Sequence, residues 1–228
     1  MLLTVALLFI FVGCVGVLYL EGTWGNAIRL VNVVTAALLA TNFFEPLANR
    51  LDRWQPSYTY AWDFLSLWLL FVVFMVIFRA VTDLTSRVKV RLLKIADQIG
   101  SAILAALIGW VMVCFTLMTL HTAPLARNFL GAFKPESRMF FGLAPDRHWL
   151  GFVQLVSTGA YSRELGKDEL AKQRYGTRQE DPEREKNLAV FDRNGDLLIK
   201  YASRRSRLEA HMKKPTTRSI RVGPGDVP

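Results

Sequence analysis

Apolar residues along this chain gather into four long runs before residue 122 and then thin into a charged remainder. Residues 1–20 contain nothing more polar than Thr4 and Tyr19. At about 1.5 Å per helical residue, that run covers the roughly 30 Å hydrocarbon core of a bilayer. Residues 62–78 (WDFLSLWLLFVVFMVIF) are almost as apolar and gain length by continuing through Arg79, whose stem can snorkel to the interface. Residues 99–120 form another run. The stretch 27–47 is diluted by Arg29, Asn32, Asn42 and Glu45 but still counts as a span. The pattern predicts four transmembrane helices.

Beyond residue 121 the pattern changes. Pro145 and Asp146 open a helix in which Trp149, Phe152, Val153 and Val156 form one apolar stripe, as expected of an amphipathic helix resting on the outer leaflet. Residues 162–187 read as a solvated helix or a linker. Two strand-like segments, 188–191 and 197–201, flank Asn194-Gly195 and predict a small β-hairpin over 188–202. Residues 215–228 have the composition of a disordered end. The expected fold class is an all-α membrane protein: four transmembrane helices followed by a mostly polar carboxyl tail carrying an amphipathic helix and a small β-hairpin. Its parts are a membrane domain over 1–121, a juxtamembrane segment over 122–160 and a charged tail over 161–228.

The composition, 52% hydrophobic with a net charge of +9, averages two unlike halves. Eight of the 28 Lys and Arg precede residue 122, so 20 lie in the tail, against 13 of the 19 Asp and Glu. The tail mixes both signs and carries no nucleic-acid module, so anionic lipid is the expected partner and nucleic acid is not. Short-loop charge sets orientation. Arg79, Arg87, Lys89, Arg91 and Lys94 crowd the connection between the third and fourth spans, which should therefore be cytoplasmic, leaving the carboxyl tail outside. Leu84, Val88, Leu92, Ile95 and Ile99 recur there at helical spacing. Two readings fit: a basic helix whose Arg87, Lys89, Arg91 and Lys94 meet anionic lipid, or an extension of the fourth span whose charges enforce orientation. Trp54, Tyr58, Tyr60 and Trp62 cluster at the second loop, where an aromatic belt belongs.

Ser101, Ala105 and Gly109 recur every four residues on the fourth span, and Ala36 with Ala40 repeats that spacing on the second, a pattern that lets helix backbones approach closely. Ionisable groups in hydrocarbon cost several kcal/mol unless paired. Arg29 and Asp97 fall near the same predicted membrane face and form the candidate intramembrane pair. Cys14 and Cys114 fall inside spans and read as apolar thiols. The tail has no HExxH, phosphate-cradling loop or GxSxG elbow, and His121, His148 and His211 are not spaced as a local metal set. No enzyme activity, cofactor or metal is expected.

Gly22, Gly25 and Arg29 open the second span, its apolar run ends near Pro46, and after a basic loop ADQIGSAILAALIGWVMV begins the fourth. This order resembles the CvpA family, the bacterial colicin V production proteins, over roughly residues 1–121. Asp97, Gly100 and Gly109 match that family's pattern best; Leu104 stands where another glycine is expected, and the first loop has fewer arginines than usual. The resemblance implies a multi-pass inner-membrane protein associated with colicin V production or export and with envelope maintenance. Three roles fit the residues: a helix-packing scaffold with an oligomeric or export partner, a small channel or transporter, and, last, a membrane enzyme.

Overall fold

The computed structural model describes residues 2–85, 94–124, 140–157, 163–164, 188–189 and 197–213. Helix α1 (Leu2–Leu18) passes through a 3-10 turn at Tyr19–Glu21 into α2 (Thr23–Trp54), and a second 3-10 turn at Pro56–Tyr58 leads into α3 (Thr59–Thr85). Helix α4 spans Lys94–Thr122, α5 spans Pro145–Ser157, and α6 spans Leu197–Lys213. Four helices are long and apolar enough to cross a membrane, so the chain is a four-span, nearly all-helical membrane protein.

The spans outrun their apolar cores. Helix α2 continues through Pro46, where the apolar run stops, to Trp54. Its 32 residues would extend about 48 Å, so its polar end projects beyond the hydrocarbon. Helix α2 packs on α3 and α4, and α4 also receives α1. The main core joins Ala36, Ala40, Phe44, Leu67, Phe115 and Met118, and a second cluster joins Leu3 and Leu7 of α1 to Val113 and Leu117 of α4. Much of α1 and α3 is left facing outward, as lipid contact requires.

Two expectations for the tail need correction. Helix α5 forms where the apolar stripe predicts, yet Trp149, Leu150 and Val153 are buried in the bundle's core rather than resting only on lipid. The expected hairpin over 188–202 does not form as such: Leu197 to Tyr201, its second arm, is the start of α6. Leu197 and Tyr201 sit four apart, both buried, so a helix presents both to the core where a strand would also send alternate residues there. The first arm contributes Leu188–Ala189, which pairs antiparallel with Arg163–Glu164. Arg87, Lys89 and Arg91 lie outside the described residues; Lys94 opens α4 and is exposed.

Candidate functional site

At the end of the bundle where α1 finishes and α2 and α4 begin, polar groups close into a clasp. The first amides of α2 lack partners within their own helix. The Thr23 backbone N–H instead donates to Asp97 Oδ1 of α4 at 2.9 Å, and the Thr23 hydroxyl donates to the Asp97 carbonyl at 2.7 Å. A carboxylate at that position also complements the positive end of the helix. One turn on, Asn26 Nδ2, fully buried, donates to the Leu18 carbonyl at 2.8 Å and to Ser101 Oγ at 2.9 Å, and Ser101 in turn donates to the Tyr19 carbonyl at 2.8 Å. The last carbonyl of α1, Leu18, and the first of the 3-10 turn, Tyr19, thereby accept from α2 and α4 respectively.

Glycine makes this approach feasible. Gly22 adopts φ 83°, in the left-handed region, and a Cβ there would lie 3.3 Å from Asp97 Oδ2. A Cβ on Gly100 would lie 2.6 Å from Thr23 Oγ1, closer than atoms tolerate. Gly109, further along α4, meets α1: its Cβ would stand 3.1 Å from the Phe11 ring and 3.3 Å from the Phe11 carbonyl. Ala36, Ala40, Ser101 and Ala105 are all buried.

Arg29 and Asp97 do not pair with each other. Arg29 forms an ion pair with Glu21, at the end of the 3-10 turn, while Asp97 is taken by Thr23. Near the same end, Asn32 Nδ2 donates to Thr82 Oγ1 at 3.1 Å and ties α2 to α3.

The opposite end holds a cluster that sequence reasoning missed, because its members come from five helices. Arg204 of α6 forms an ion pair with Asp63 at the start of α3 and donates to the Thr59 carbonyl at 2.6 Å. Its guanidinium lies 5.3 Å from the centre of the Tyr60 ring. His121, with no exposed surface, places Nε2 3.3 Å from Asp146 Oδ2 of α5 and Nδ1 3.4 Å from Arg205 Nη2 of α6. Lys200 meets Glu45 of α2 at 3.1 Å on the exposed rim. A small cleft lies among Tyr60, His121, Tyr201, Arg204 and Arg205. Burial pushes the Tyr201 phenol up, and the negative charges of Asp63 and Glu45 and a hydrogen bond with Asp63 add to this against the lowering effect of Arg204. Trp149 of α5 donates to Thr41 Oγ1 at 3.2 Å, so both tail helices are fastened to the spans.

Compared with known proteins, residues 3–141 match the family described as Colicin V production protein. No curated protein and no solved structure matches the chain. The matched residues take in all four spans together with Gly22, Asp97 and Gly100, the contacts of the first clasp, and the chain belongs to the colicin V production protein (CvpA) family.

Proposed function

We propose that the chain is a helix-packing scaffold of the bacterial inner membrane that supports colicin V production or export and maintenance of the envelope. The observation that supports this best is the use of its polar groups: Asp97, Asn26 and Ser101 at one end, and Asp63 and Arg204 at the other, each join one helix to another. Groups tied in this way hold a shape and leave a surface for partners. The loop between α3 and α4 faces the cytoplasm, where Arg87, Lys89, Arg91 and Lys94 meet anionic lipid, and the carboxyl-terminal end of α4, with α6 beyond it, faces the other side. The small-residue faces at Ala36, Ala40, Ser101, Ala105 and Gly109 set the helix spacing. A second copy or an envelope or export component docks on the assembled bundle. No catalytic step or cofactor belongs to this role.

The alternative is a small channel or transporter, favoured by the burial of Asp63, His121 and Asp146 at a span end, since intramembrane ionisable groups often mark ion or proton routes. The test of the scaffold is colicin V release by bacteria lacking their own family member. Supplying this chain should restore release, and Gly100→Leu, which wedges α4 from α2, should not. Full restoration by a Gly100→Leu chain shown to have lost its helix packing would contradict the proposal.

A further inference from the structure

Turn residues 140–144 and helix α5 reach well below the end of α4. Phe140 packs with Leu3, Leu7, Val113 and Leu117, and its ring lies 6.1 Å from that of Trp110. Trp110 is twelve residues before Thr122, about 18 Å along the helix. The Trp149 ring lies 5.8 Å from that of Phe115, also inside α4. These partners belong to membrane spans, so the segment that reaches them stands at hydrocarbon depth.

Irregular backbone survives at that depth only when its polar groups are bonded. Here the Leu143 N–H donates to the Phe140 carbonyl at 3.1 Å, and the Ala144 carbonyl accepts from the Arg147 and His148 amides at 3.1 and 3.3 Å. Phe140, Phe141 and Ala144 have φ of 54°, 55° and 46°, a left-handed geometry that non-glycine residues rarely adopt. The turn buries Phe140 while leaving Phe141 outside, 75% exposed. Leu155 is 71% exposed, and Leu143 and Phe152 are also open. Val76 on the outward face of α3 is 62% exposed, so the foot and the span are bare to a like degree.

We propose that residues 140–157 are a lipid-embedded foot, seated in the leaflet at the carboxyl-terminal end of α4, with Phe141, Leu143, Phe152 and Leu155 in contact with phospholipid acyl chains. Arg147, exposed on the same helix, has the length to carry its charge to the headgroups. The foot adds an anchor to the four spans and fixes the depth at which α6 docks.

The wild-type chain, reconstituted in phosphatidylcholine vesicles containing a lipid with a photoreactive carbene precursor on its acyl chain, tests this directly. After illumination, the tryptic peptide 148–163 should carry label at a level comparable with the peptide bearing residues 62–78, and far above peptides from α6. Modification of 148–163 by a water-soluble carbene with no acyl-chain label would put the foot in water and overturn the proposal. Protection from both reagents would show a second copy of the chain covering the patch, and would overturn it equally.

Discussion

Gly100 and Asp97 carry the first clasp with a few atoms. A methyl group on Gly100 has nowhere to go but against Thr23, so Gly100→Ala should lower the thermal midpoint of the detergent-solubilised protein, and Gly25→Ala, where a Cβ would meet nothing within 4 Å, should leave it nearly unchanged. Asp97→Ala removes a helix cap and should cost about 1 kcal/mol, recovered in part by Asn, which keeps an acceptor. Equal midpoints for all these variants would show that the clasp does not hold the bundle. The motif residues were legible in the sequence, but the partner of Arg29 was not. Arg29 and Asp97 share a membrane face, which made them look like a pair. The deciding features were a 3-10 turn that brings Glu21 to Arg29 and an orphan amide at Thr23 that claims the carboxylate.

Helix α6 is held by a few strong contacts rather than a broad apolar face. Asp63→Ala would leave Arg204 half-buried without its carboxylate, a loss of roughly 3 to 5 kcal/mol when one member of a buried pair is removed, discounted here because Arg204 keeps some exposure. It should release α6 to proteolysis while the four spans stay protected. Tyr201 adds a dependence on pH. Its phenol is raised in the folded chain, whereas an unfolded tyrosine ionises near pH 10. The contribution of Tyr201 is therefore complete below about pH 10 and falls as the pH rises beyond it. Protease protection of α6 should decline above that pH in the wild type and decline less in Tyr201→Phe; identical profiles would count against the burial of the phenol. Sequence patterning misassigned this element because Leu197 to Tyr201 is apolar enough for a strand. Its helical signal lies in the four-residue spacing of Leu197, Tyr201 and Arg205, all three buried, and becomes readable only once the bundle supplies the surface they face.

At the scale of the whole molecule, the four spans were legible because bilayer thickness translates directly into apolar length, even for α2 with its four polar interruptions. The cluster at Asp63, His121, Asp146, Arg204 and Arg205 was not, since it unites positions up to 142 residues apart in a chain whose local pattern carries no trace of that meeting. The proposed orientation, which rests on loop charge, predicts that Ser86→Cys resists an impermeant thiol reagent in intact cells and that Ala210→Cys reacts. The reverse labelling would place α6 in the cytoplasm. The proposed scaffold role requires that the ionisable groups at both ends of the bundle tie helices together rather than pass ions. Proton flux across vesicles reconstituted with the wild-type chain measures that most directly. Flux should be no greater than in protein-free vesicles; flux that appears with the wild type and disappears in folded Asp63→Asn or Asp97→Asn variants would rule out a purely packing role for these groups.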